Sequence, residues 1–176
     1  MEEQRIEKST VKQVSLKWGL ILGVILIAFS LLVQIAGLIG NQAVSWVSYL
    51  FVIAAVYLSQ KAFKDEGDGF MSYGKGLGIG TLVVTIGSIL SSIFMYINMK
   101  FIDETILETI KDLQYEKMVE QGMAEEQIDQ AMEISSSFMT PEIIMVFAIL
   151  GTVFFGFILT LIVTAITKNA NPAEEV

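Results

Sequence analysis

The run LGIGTLVVTIGSILSSIFMYI, residues 77–97, decides how this chain is read. It contains no Asp, Glu, Lys or Arg, and at about 1.5 Å per residue a helix of this length crosses the roughly 30 Å hydrocarbon layer of a bilayer. Working outward, three further runs free of those four residue types appear at 18–39, 44–58 and 143–166. The chain therefore reads as an all-α membrane protein with spans at about 18–39, 44–60, 76–97 and 143–167, all within one membrane domain covering 1–176. The second run is short, and Trp46 and Tyr57 sit near its ends as interfacial anchors, so a span with modest local thinning is expected. Residues 40–43 alone separate the first two runs, which must return on each other as a helical hairpin. The first run exceeds a signal-peptide core and follows a polar segment of seventeen residues, so it reads as a span rather than as a leader.

Composition agrees with this reading and narrows the chemistry. Of 176 residues, 53% are hydrophobic and 17% charged, with a mean hydropathy of +0.63; a soluble domain holds about a quarter charged residues. There is no Cys and no His. A disulfide framework, a thiolate or imidazole metal site, and nucleophilic catalysis by Cys or with a His base are thereby excluded.

The cationic residues give an orientation. Arg5, Lys8, Lys12 and Lys17 precede span one, Lys61, Lys64 and Lys75 lie between spans two and three, and Lys168 follows span four. The other side carries only Lys100, Lys111 and Lys117, all within the 98–142 segment. Lys and Arg are retained on the cytoplasmic side, so the tails 1–17 and 168–176 are expected in the cytoplasm of a bacterial inner membrane. The 98–142 loop lies outside; its eleven acids against three bases account for the whole net charge of −8.

Each span carries small or polar residues on one face. In the third they are Gly74, Gly78, Thr81, Thr85, Ser88 and Ser92; in the first, Gly19, Gly23, Ser30, Gln34 and Gly37; in the second, Ser45, Ser48, Ala55 and Ser59. A mean spacing of 3.5 aligns each set along a helix. The fourth span has Thr152, Gly156, Thr160 and Thr164 every four residues, the small-xxx-small pattern of close crossings. Such stripes serve first as helix-packing surfaces, and second as a polar path for a solute. With no ionisable residue inside any span, a proton relay or ion-coupled pump lacks its usual intramembrane group. Gln34, the strongly polar group of span one, is expected to bond across the seam to a Ser or Thr.

The glycine-rich run 67–80 resembles a phosphate cradle only superficially. Lys75 is followed by Gly76 rather than Ser or Thr, and a helical span rather than a strand precedes it. A flexible turn over 65–72 is the expectation. Within the outer loop, Ile102, Ile106, Ile110 and Leu113 recur at helical spacing, while Glu104, Glu108, Asp112, Glu116 and Glu120 fall every fourth residue as an acidic ribbon. Gly122 ends this helix, a second follows over about 124–137, and Thr140-Pro141-Glu142 reads as cap, first-turn proline and dipole-matched acid for span four. The loop is thus an acidic helical hairpin. No EF-hand spacing marks it as a cation site, and its sign suits a basic protein partner rather than nucleic acid.

Several short segments, in order, resemble a known family: Ala62-Phe63-Lys64, then Phe70-Met71-Ser72-Tyr73-Gly74, Phe101-Ile102-Asp103, Glu116-Lys117-Met118, Gly122-Met123-Ala124-Glu125-Glu126-Gln127-Ile128 and Phe138-Met139-Thr140-Pro141. Together they look like the domain-of-unknown-function 4199 family, four-pass membrane proteins chiefly of Bacteroidetes. Ala124 departs from a family position often held by a capping Ser, and Glu104 from one often held by Pro. The resemblance implies four passes and supplies no catalytic, cofactor or binding residue. The function expected from the sequence is that of a non-enzymatic structural or interaction protein, without cofactor, resident in the lipid bilayer, whose outer acidic hairpin contacts a basic protein or a second copy. The alternative is a small solute permease or channel using the Ser/Thr/Gly stripe of span three.

Overall fold

The computed structural model describes residues 10–169. Six α-helices follow in order: α1 Val11–Ile35, α2 Gln42–Asp65, α3 Tyr73–Ile97, α4 Thr105–Glu120, α5 Glu125–Ser136 and α6 Pro141–Thr167, with a π-helical turn, Asn98–Ile102, extending α3. Helices α1, α2, α3 and α6 are each long and apolar enough to cross a membrane. Their outward rings of large apolar residues, among them Val24, Leu50, Phe147 and Phe154, are exposed, as lipid-facing side chains must be. The protein is an all-helical, four-span membrane protein with a short helical pair, α4 and α5, between its third and fourth spans.

Capping fixes where the spans begin, and the helices extend past the uncharged runs except at the end of α1, which stops at Ile35, four residues short of Ile39. Thr10 and Gln13 form a capping box, so α1 starts seven residues ahead of Trp18 and includes Lys12 and Lys17. The Asn41 side chain accepts from Ala43 N at 3.0 Å and Val44 N at 3.3 Å, opening α2. That helix continues past Leu58 to Asp65, and its 24 residues reach about 36 Å. The helix is thus longer than the uncharged run 44–58, its last turns carrying Lys61, Lys64 and Asp65. Between α1 and α2, Gly37 and Gly40 take φ of 67° and 81°, a conformation that glycine adopts without a Cβ clash.

Helix α3 is the axis of the bundle, packing on α1, α2 and α6. Its seam with the antiparallel α6 is a four-residue row against a four-residue row. Gly76 meets Thr164, Gly80 meets Thr160, and Val84 meets Gly156. A methyl placed on Gly76 would stand 2.6 Å from Thr164 Cγ2. Its seam with the parallel α1 uses Gly19 against Val83 and Ile86, Leu22 against Gly87, and Gly23 against Leu90. Leu22, Val56, Ile79, Val83 and Val84 are the fully enclosed centre. Without a hydrophobic drive between helices in lipid, this close backbone approach is the main source of cohesion.

The starts of α1 and α3 and the ends of α2 and α6 share one end of the bundle, called here the tail end; α4 and α5 cover the other, the hairpin end. The 65–72 turn is not the free loop its glycines suggest. Met71, buried to 1% exposure, pairs as an isolated antiparallel bridge with Asn169, N to O distances being 2.7 and 3.0 Å, and Asn169 Nδ2 donates to Gly69 O at 3.1 Å. The end of α6 thus fastens the turn, a constraint that comes from residues a hundred positions away.

Candidate functional site

Two polar centres are built into the bundle, one at each end. At the tail end, Gln60 is fully buried. Its Nε2 donates to Gly76 O at 2.9 Å and to Thr164 Oγ1 at 2.7 Å, and its Oε1 accepts from Thr167 Oγ1. One amide thereby ties α2, α3 and α6 together. Lys64 Nζ donates to the Thr167 carbonyl at 2.9 Å beside it. The signal in the sequence that locates Gln60 inward is its register with Val52 and Val56, both buried, at steps of four.

At the hairpin end the centre is Gln34. Asn98 Nδ2 donates to its Oε1 at 2.6 Å, and its own Nε2 donates to Asp103 Oδ2 at 2.7 Å. The expected Ser or Thr partner is replaced by these two because the π-turn, closed by Asp103 N to Asn98 O at 2.8 Å, brings both residues to the same side chain. Such turns recur at functional sites. Asp103 Oδ1 also accepts from Thr105 N at 3.1 Å and Thr105 Oγ1 at 2.5 Å, giving α4 a defined start despite Glu104. The Thr105 hydroxyl first, and Gln34 with the Thr105 amide after it, hold the Asp103 carboxyl below its ordinary range. Asn98, at 2% exposure, keeps its Oδ1 without a partner among the described residues.

Beside this centre the hairpin half of the bundle opens into a crevice of about 400 Å³. All four spans line it: Ser30 and Gln34 from α1, Ser45, Ser48 and Tyr49 from α2, Ser91 and Ser92 from α3, Thr152 from α6. Its apolar wall includes Leu26, Phe29, Val33, Val52 and Met95, and Ile106 of α4, itself buried, closes onto it. No acidic or basic side chain lines it.

The stripe singled out on span three divides. Ser92 lines the crevice and Ser88 is buried beneath it, but Thr81 and Thr85 stand outside. Thr85 Oγ1 donates to Thr81 O and Ser88 Oγ to Thr85 O, at 2.8 and 3.0 Å, so these hydroxyls are spent on their own helix. Thr81 Oγ1 is buried without a partner among the described residues. Gly74 and Gly78 meet nothing within 4 Å of an added Cβ; the glycines that bring helices together are Gly76, Gly80 and Gly87. On the outer pair, Glu104, Glu108, Asp112, Glu116 and Glu120 are all exposed, as are Glu125, Glu126, Asp129 and Glu133 of α5. Ile106 and Ile128 are buried, while Ile102, grouped with the inward residues by its spacing, is 66% exposed because the π-turn shifts its register. The Ala124 side chain has nothing with which to cap α5; instead its amide donates to Gln127 Oε1 at 3.3 Å. Lys100 Nζ reaches Glu142 Oε1 at 2.5 Å and Tyr96 OH at 2.9 Å, joining the π-turn to the start of α6. Among the described residues, no three carboxylates assemble as a metal cluster.

Comparison with known proteins gives one family. A family model described as "Protein of unknown function (DUF4199)" matches residues 17–169, all of the bundle and its hairpin except the first six residues of α1. No curated protein and no solved structure matches the chain significantly. By that match and by its four spans, the chain belongs to the DUF4199 family of unknown function and is a multi-pass helical membrane protein.

Proposed function

We propose that this protein is a non-enzymatic component of a bacterial cytoplasmic membrane, both termini in the cytoplasm, whose outer acidic hairpin docks a basic protein surface. The observation that carries the reading is the row Glu104, Glu108, Asp112, Glu116 and Glu120, exposed at the start and along the length of α4, a helix that is itself held to the bundle by Ile106 and by the Gln34 and Asp103 pair. A row of like charges costs a helix a few tenths of a kcal/mol per neighbouring pair, and a rigidly mounted anionic face raises the encounter rate with a cationic partner. The orientation is supported by the eight bases flanking the spans at the tail end against three on the hairpin side. The absence of His, Cys and any intramembrane carboxylate supports a role other than catalysis.

The test is crosslinking in native membranes followed by purification in mild detergent. A specific basic partner recovered with the wild type, lost with Glu108→Lys, Asp112→Lys and Glu116→Lys together, and released by moderate salt is the expected result. A clean monomer with no crosslinked species, or a partner retained by the charge-reversed chain, refutes the docking role. Reporter fusions at Lys64 and Leu113 should report opposite compartments, with Lys64 cytoplasmic.

A further inference from the structure

The crevice is bordered by hydroxyls that the chain itself does not use. Of the hydroxyls that line it, Ser30, Ser45 and Ser91 donate to carbonyls of their own chain three or four residues back, at 2.9, 3.2 and 3.2 Å. Ser48, Ser92 and Thr152 make no hydrogen bond to any described residue. Ser92 is only 6% exposed. These three come from α2, α3 and α6 and border one space. A hydroxyl in an apolar surrounding costs several kcal/mol on the strictest transfer scale when it lacks a partner, and a serine or threonine in a helix has a back-bond to its own carbonyls available. Ser92, more than nine-tenths buried, and the half-buried Ser48 and Thr152 thus turn three uncommitted hydroxyls onto one cavity, donors available to an acceptor from outside the chain.

The remaining walls define its chemistry. No charged side chain lines the cavity, so a carboxylate, phosphate or ammonium would sit there unpaired at high cost. The larger part of the lining is hydrocarbon and aromatic, stiffened by the edge-on pair Phe29 and Phe51 at 5.2 Å and by Tyr49 against Phe155 at 6.4 Å. The volume, about 400 Å³, equals roughly 13 molecules of liquid water and falls within the range of small-ligand sites. Since the cavity lies in the hairpin halves of the spans, its occupant reaches it from the bilayer or its surface. We propose that this crevice binds a neutral single-chain lipid of the monoacylglycerol class, its ester and hydroxyl oxygens accepting from Ser48, Ser92 and Thr152 and its chain lying along Leu26, Val33 and Met95. The site is independent of the acidic row.

The experiment uses the full-length protein in nanodiscs with a medium-chain monoacylglycerol carrying a diazirine in its tail. Saturable labelling should map to α1 and α3 around Leu26, Val33 and Met95. Unlabelled monodecanoylglycerol should compete for it, whereas decanoic acid and phosphatidylcholine should not. Ser48→Ala, Ser92→Ala and Thr152→Val, combined, remove the hydroxyls while preserving the apolar shape, and should weaken binding by about tenfold or more. Ser92→Leu, which fills the cavity, should abolish labelling. Labelling confined to lipid-facing positions such as Leu50 and Phe154, equal competition by the charged or two-chain lipids, or unchanged affinity in the hydroxyl-free chain would each overturn the proposal. Should the triple variant fail to fold, the competition arms on the wild type decide the question alone.

Discussion

The two halves of this bundle are made of similar residues and behave differently. In the tail half, Gly19, Gly76, Gly80 and Gly156 let α3 close on α1 and α6 until an added methyl would collide. The single buried amide of Gln60 is bonded on both its donor and acceptor sides. In the hairpin half, Gly23 still closes α1 on Leu90 of α3, but Ser, Thr and Gln stand at the other facing positions and a crevice opens among the four spans. Small polar residues in the spans thus do different work: Thr160 and Thr164 pack on glycines of α3, Ser15, Ser59 and Ser88 are buried with their hydroxyls bonded to carbonyls, and Ser48, Ser92 and Thr152 border a space. The closest glycine seams lie at the end where the described termini meet, and the open crevice at the end of α4 and α5.

The sharpest way to break this contrast is to make the tail half unable to close. Gly19→Val would drive branched carbons into Ile86 Cβ, 2.7 Å from an added Cβ, and toward the Val83 carbonyl at 3.2 Å, which cannot yield without moving α3. A loss of about 3 kcal/mol or more is expected, read as a large drop in thermal midpoint in detergent. Gly74→Val and Gly78→Val meet open space and should fold with little change. Equal effects at all three positions would show that the seams are misassigned.

Next in size is Gln60→Leu. It deprives Gly76 O and Thr164 Oγ1 of a donor and Thr167 Oγ1 of an acceptor, though Thr167 retains its bond to Val163 O at 3.0 Å. Hydrogen bonds between spans contribute about 0.6 to 2 kcal/mol each, so a destabilisation of about 2 kcal/mol is expected. Gln34→Leu addresses the opposite end and should be milder globally, about 1 kcal/mol, but local in its consequences. Amide exchange should accelerate in α4 and the π-turn while α3 between Ile79 and Val84 stays protected. Uniform acceleration through the bundle would mean that the hairpin is not fastened separately from the spans.

What the sequence made legible follows the range of the physics involved. The four spans, the glycine break at Gly122 and the Thr140 cap depend on neighbouring residues, and they are found where the pattern placed them; Gly122 has φ 73° and Thr140 Oγ1 accepts from Ile143 N. The α6 row Gly156, Thr160 and Thr164 was also readable, because spacing by four defines a face. Choosing between Gly74 and Gly76, or Gly78 and Gly80, was not, since both pairs lie in one glycine-rich run and only the partners Thr164 and Thr160 decide which faces inward. Asn98 and Asp103 were invisible as partners of Gln34 because a π-turn alters the 3.6-residue register on which face assignment rests. The pinning of Met71 by Asn169 depends on the fold being complete.

The smallest expected effect separates the Gln34 centre from the seams by its pH dependence. Asp103 is held below the ordinary carboxylate range in the folded protein, chiefly by the Thr105 hydroxyl and then by Gln34. A depressed folded value means that the folded state favours the charged form. The stabilisation is therefore fully present above the unfolded value, about 3.9, and is lost as pH falls through the lower, folded one. The carboxylate is solvent-accessible, so the effect is small and concerns the α4 attachment rather than the bundle. Comparing the wild type with Asp103→Asn, the difference in thermal midpoint should be constant from about pH 7 to pH 5 and shrink only below about pH 4. A difference that fades near neutrality, or one that persists unchanged in strong acid, would mean that Asp103 is not the charged acceptor that anchors the hairpin. The Gln60 clamp, which contains no acid, should show no such dependence across the same range.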